Sequence, residues 1–481
     1  MAQPSLLIQN LINSTREQFF YHSRRVAELK QKEYPFDACE DMLNTLYKID
    51  DEILKELDKL EKELSKSDIS KKAVLKQNLE KIRGYGQLVE ILHYPLTFFE
   101  MGSREHIPEG NVVLIDNVVK KFDKNAVFVL VPIHYYNYTY LDLMKPLKKA
   151  LRHTLPNIDE LLSDSPEKYA VFGFPLIQKE NSILNSILAH EVGHFVDEMK
   201  KISDRLMGKV ILDPKLLDKI AKRLESSFVG RTKEIKLTYF VTPEELRATI
   251  TSFAAARISE WLKELVADAI AFHLIGPVFL FSLTGFLVTM IDIDEATGDH
   301  PPPRMRISLL LDQFEKLDYP RLIKNVEDTK HREVAKKFIT LVQSIPQLLE
   351  SVEQGERDDI SELVLTSVEK IIPELLKEVS KQVTIDQYLP KEFKIEVFKL
   401  VELLDFVIPP AETKIGEPAS VASILNVGSL YELMLIDNLY KVLEAKNTKE
   451  RMMARHKLHK LILKALELSS VEARMKRLLK S

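Results

Sequence analysis

Along the first hundred residues, apolar positions fall at Leu46, Ile49, Ile53, Leu57, Leu60 and Leu64, with Lys and Glu filling most of the intervals. Steps of three and four residues keep all six on one stripe of a helix. The polar stretch SKSDIS at 65–70 reads as a turn, and Leu75, Leu79 and Ile82 resume the stripe beyond it. The pattern predicts an antiparallel helical hairpin, which can pack within its own chain, dock on a neighbouring domain or dimerise.

Between Gly110 and Gln178 the pattern changes. NVVLI (111–115), AVFVLVPI (126–133) and YAVFGFPLI (169–177) are short β-branched and aromatic runs bounded by Gly, Pro, Asp or Asn, and they read as strands. After Arg306 the helical pattern returns to the end, broken by the loop VIPPAETKIGEPAS (407–420). No long-period repeat and no low-complexity tract is visible. The expected class is mainly α with a small β-sheet. Three regions follow: helical 1–105, mixed 106–310 and helical 311–481.

Composition narrows the function. A chain of 481 residues and 55.4 kDa can bury a large core, so no disulfide or metal is needed merely to fold. The single Cys39 cannot form an internal bridge, and the N-terminal stretch lacks the basic and apolar succession of a secretory signal, which points to the cytoplasm. A net charge of -4 gives no global attraction for nucleic acid. The segment from Lys446 onward carries 11 Lys or Arg against 3 Asp or Glu, and is read as a solvated helix face. The apolar run at 272–291 is about long enough to span a bilayer. Its interruption by His273, Gly276, Pro277 and Thr284 favours a buried core helix, so no membrane partner is expected.

The chemistry centres on ILAHEVGHFVDE (187–198). Ile183, Ile187, His190 and His194 share one helix face, which stacks the two imidazoles within reach of one cation. Glu191 lies about 100° round that helix, placed to take a proton from water without ligating the cation. Two neutral imidazoles with a non-ligating carboxylate suit Zn²⁺ hydrolysis, and a paired histidine at a core edge is the competing reading.

A catalytic zinc needs a third protein ligand and an open position. The segment TPEELRATITSFAAARISEWLKELVADAIAFHL opens with Thr242 and Glu245 in capping-box spacing and Pro243 at the first helical position. Glu264 on this helix is the natural ligand, with Asp268 orienting a histidine from behind, and the small Ala267 and Ala271 permit close helix packing. Glu260, one turn earlier, is the rival ligand. His300, after a TGD turn and before three prolines, sits on a stiff loop from which an imidazole can enter a cleft; an ordinary loop histidine is the alternative.

HEVGH followed by ELVAD resembles the gluzincin metallopeptidases. ELVADAIA and HPPPRMRI (300–307) are similar to the motifs of the HtpX and CAAX-prenyl-endopeptidase group, over roughly residues 180–310. The resemblance implies a zincin-like core flanked by helical regions, with His190, His194 and Glu264 binding one Zn²⁺. It further implies Glu191 as general base, Asp268 as orienter, His300 steadying the oxyanion, and Arg306 holding its loop or contacting substrate. A long helical, partly basic insert including 215–228 separates His194 from Glu264.

The expected activity is a zinc-dependent metallopeptidase acting on a peptide or protein substrate, with one of the strands before HEVGH offering an edge for it. The aromatic cluster IHYYNYTY (133–140) is read as core or as a specificity pocket. The rivals are a catalytically silent scaffold that uses its helical flanks to bind a protein partner, and a zinc hydrolase of a non-peptide amide.

Overall fold

The computed structural model describes residues 4–66, 72–155, 157–163, 165–232, 242–290, 294–351, 359–383 and 387–479. The chain is mainly helical with a small sheet and divides into two compact units, 1–112 with 123–179, and 113–122 with 180–481.

The first unit is built on α1 (Pro4–Leu29), α2 (Asp37–Lys66) and α3 (Lys72–Met101). Leu46, Ile49, Ile53, Leu57, Leu60 and Leu64 are all buried, as their spacing requires. Beyond them Ile82 is buried but Leu79 is exposed. The predicted turn falls outside the described residues from 67 on. Helix α1 packs against both hairpin helices, making a three-helix layer.

NVVLI is not a strand. It lies in α4 (Glu109–Phe122), which continues past Asp116 and Asn117 to Val118 and Val119. Val112, Ile115 and Val119 then recur at helical spacing, and because Val113 and Leu114 are buried as well, the local run carries no periodic signal.

The other two runs form β1 (Phe128–Ile133) and β3 (Ala170–Pro175), with a further strand, β2 (Thr139–Asp142), starting inside the aromatic cluster. The order is β1-β3-β2, with β1 parallel and β2 antiparallel to β3. The YAVFGFPLI run is therefore central, flanked on both sides, and among the described residues β1 and β2 are the edges of this sheet. Of the cluster, Tyr138 is buried, Tyr135 is exposed and Tyr140 packs on Phe172. The sheet groups with the N-terminal helices because Val129, Val131 and Val171 join their core, and Tyr169 donates its hydroxyl to the Ala38 carbonyl at 2.8 Å. A short α5 (Met144–Thr154) and the single turn α6 (Ile158–Leu161) complete the unit.

The second unit contains α7 (Leu188–Lys200), α8 (Ile202–Met207), α9 (Pro214–Thr232), α10 (Pro243–Ile275), α11 (Pro277–Met290) and α12 (Pro303–Lys316). The helical remainder consists of α13 (Tyr319–Lys324), α14 (Thr329–Glu350), α15 (Asp359–Gln382), α16 (Pro390–Glu392), α17 (Phe398–Asp405), α18 (Val421–Leu430), α19 (Ile436–Val442) and α20 (Thr448–Leu478), with a β4–β5 hairpin at 412–418. Since α15 packs on α10, the C-terminal helices belong to the unit that carries the histidines, not to a separate region after 310.

The apolar run 272–291 is buried over most of its length but is two helices. Gly276 takes φ 71, a left-handed value that favours glycine, and Pro277 starts α11. No described helix is long and apolar enough to cross a membrane.

Candidate metal centre

Two helices build the site. α10 begins with the capping box read from its sequence: Thr242 Oγ1 accepts from Glu245 N at 3.2 Å, and Glu245 Oε2 accepts from Thr242 N at 2.8 Å. α7 continues from a short 3₁₀ turn, Leu184–Ile187, and lies along α10. The two backbones approach closely: a Cβ on Gly193 would stand 2.5 Å from the Ala267 carbonyl oxygen. Gly193, between the two histidines, is what lets the helices meet.

At that contact the imidazoles face one carboxylate. His190 Nε2 and His194 Nε2 are 3.0 Å apart, and they lie 3.4 and 3.2 Å from Glu264 Oε2 and Oε1. Among the described residues, His190, His194 and Glu264 present one ligand atom each within 4.8 Å of one another, a group able to hold a metal ion. Glu260 is not part of it; its carboxylate points to Lys263, 2.6 Å away.

Behind this group runs a chain of charge. His190 Nδ1 pairs with Asp268 Oδ1 at 2.8 Å, and Asp268 in turn accepts two hydrogen bonds from Arg306, at 2.7 Å from Nε and 2.8 Å from Nη2. Arg306 Nη1 also lies 3.2 Å from Glu264 Oε2. Arg306 is buried at 5 %, and its guanidinium spends these contacts on Asp268 and Glu264.

Exposure rises across the site. The side chains of His190, Glu264, His194 and His300 are 7, 11, 21 and 52 % accessible, which places the opening beside His194 and His300. His300 Nε2 is 3.8 Å from Glu264 Oε1. Its loop is fixed by His300 N donating to Thr297 Oγ1 at 2.9 Å and by Trp261 Nε1 of α10 donating to the Thr297 carbonyl at 3.2 Å.

The electrostatics favour positive charge at the ligand atoms. Burial pulls the His190 pKa down, but Asp268 and Glu264 outweigh it and push the imidazole up to about 10. Burial would raise the Glu264 carboxyl, yet Arg306 and the two histidines hold it well below the usual carboxylate range. Burial raises the Glu191 carboxyl, with the histidine charges opposing. Glu264 Oε2 is buried and makes no hydrogen bond of good geometry. Two ring nitrogens and a carboxylate with an oxygen free of well-formed hydrogen bonds form a donor set able to hold a metal ion, with the Asp268 anion behind His190.

Gly193 and Trp261 were not singled out from sequence. The glycine inside HEVGH was a visible signal for close packing, whereas nothing local marked the indole's reach to the Thr297 carbonyl. The insert at 215–228 is helical, within α9, and Arg223 ties it to Asp359 of α15 at 2.9 Å. No family model, curated protein or solved structure matches the chain.

Proposed function

We propose that this chain is a zinc-dependent metallopeptidase with a zincin-like core. The observation that carries the reading is the convergence of His190, His194 and Glu264 from two helices, with buried Glu191 beside them and not among them. The order of HEVGH, ELVAD and HPPPRMRI along the chain supports it, through the resemblance to gluzincins.

His190, His194 and Glu264 would hold the ion, and zinc bound there supplies a Lewis acid that acidifies water and polarises a carbonyl. The chain's own groups do the rest. Glu191, whose pKa is raised by burial, takes the proton of the attacking water and returns it to the leaving amine. Asp268 accepts from His190 Nδ1 and so leaves Nε2 as the nitrogen turned toward Glu264. Arg306 fixes Asp268, and the accessible His300 donates to the oxyanion as it develops. The substrate enters on the open side, between His194 and His300.

The test is zinc content followed by cleavage of a peptide library or casein by the wild type and Glu191→Gln. One zinc per chain in both proteins, with turnover lowered by about 10²–10⁴-fold in the variant, is expected for loss of a general base. Zinc without cleavage, unchanged by the substitution, would favour a scaffold; turnover confined to small non-peptide amides would favour the amidase.

A further inference from the structure

The second unit contains a cavity of about 490 Å³ that the proposed hydrolysis does not use. Its walls come from the C-terminal end of α10 (Leu274, Ile275), the first turn of α18, the last turns of α20 and part of α4, all within that unit. The volume is in the range of small-molecule sites.

Several donors in its wall have no acceptor, while Tyr388, Ser420 and Ser469 are each already hydrogen-bonded. Among the described residues Arg474 has no ion pair or hydrogen bond, and Arg477 spends one N–H on the Ala473 carbonyl of its own helix at 3.3 Å. Gln387 Nε2 is buried and has no acceptor. At the start of α18 the Ser420 side chain caps Ser423 N, which leaves the Val421 and Ala422 amides, both in the cavity wall, without an acceptor among the described residues. The two carboxylates in the wall are already engaged. Asp116 pairs with Lys120 at 2.5 Å, and Glu392 accepts from Leu389 N at 2.8 Å.

Two guanidiniums, a carboxamide and two helix-start amides around one space call for an anion with several acceptor oxygens. The apolar part of the wall leaves room for an organic body. We propose that this cavity binds a small phosphomonoester through its phosphate, at the end of α10 opposite its capping box. Asn426 latches α18 to that end, donating to the Ile275 carbonyl at 2.6 Å and accepting from Val278 N at 2.9 Å, so a ligand seated there braces the helix that carries Glu264.

Calorimetric titration at low ionic strength tests this, with adenosine 5′-monophosphate and glycerol 3-phosphate as probes and adenosine and glycerol as uncharged controls. Both esters should bind, both controls should not, and affinity should fall at least tenfold in the double variant Arg474→Ala/Arg477→Ala. Both arginines are exposed, so the double variant should keep the wild-type Tm without ligand. Gln387→Leu, tested separately, should weaken the esters several-fold. No binding of either ester, equal binding of adenosine and its monophosphate, or wild-type affinity in the double variant would each overturn the proposal. So would binding confined to vesicles containing phosphatidic acid.

Discussion

Gly193 matters by what it lacks. Its backbone faces Ala267 so closely that a single methyl would meet the carbonyl oxygen at 2.5 Å, and neither helix can yield without carrying a ligand with it. Gly193→Ala should cost about 1–3 kcal/mol as an overpacked contact and lower zinc affinity more than tenfold, read by thermal unfolding and by competition with a chelator. Arg306 makes the complementary case. Its removal leaves Asp268, fully buried, without its main cation, and Arg306→Ala should destabilise the fold by about 3–5 kcal/mol in urea unfolding. A double variant with Asp268→Ala should recover part of that loss, since the buried charge goes with its partner. His190, His194, Glu264 and Asp268 could be read from sequence because four-residue steps place side chains on one helix face. That Arg306 is buried could be recognised only from the tertiary packing.

At the scale of elements, α10 is the best-marked helix in the sequence, while the apolar run that begins inside it was read as one helix and is two. Its capping box is a local signal, visible in Thr242 and Glu245. Its end at Gly276 falls within a run whose hydrophobicity does not change, so only the glycine–proline pair marked the break. NVVLI failed for a related reason: residues 111–115 are buried on every side, and a helical stretch so enclosed loses the periodicity that separates it from a strand. Burial near the end of α10 also sets a pH dependence. His273 is enclosed and its pKa is pushed down to about 4 by desolvation, below the ordinary 6.5. Between those values the unfolded chain binds a proton that the folded chain refuses, so stability falls as the pH drops from 6.5 toward 4, by roughly 3 kcal/mol at most. His459, lowered to about 4 mainly by its burial, acts in the same direction. Unfolding by urea across this window should show the slope, and His273→Leu should flatten it; a pH-independent midpoint would contradict the assignment.

For the whole molecule, hydrophobic patterning gave the helical class and the presence of a sheet, while the division of the chain lay beyond it. The units separate at 179 because the sheet shares its core with α1–α3, a tertiary preference that no change in composition marks. Within the second unit, a bound ion that ties α7 to α10 must stabilise the fold through ligand linkage, about 4 kcal/mol when free zinc stands a thousandfold above its Kd. Chelation should therefore lower the Tm of the wild type and leave that of Glu264→Ala almost unchanged.

Zinc content per chain after exhaustive dialysis, compared among the wild type, Glu264→Ala and Glu260→Ala, is the most direct measurement. One equivalent in the wild type and in Glu260→Ala, with near-complete loss in Glu264→Ala, is the predicted result. Zinc-free wild type after purification in zinc, or full retention by Glu264→Ala, would contradict a centre built from His190, His194 and Glu264.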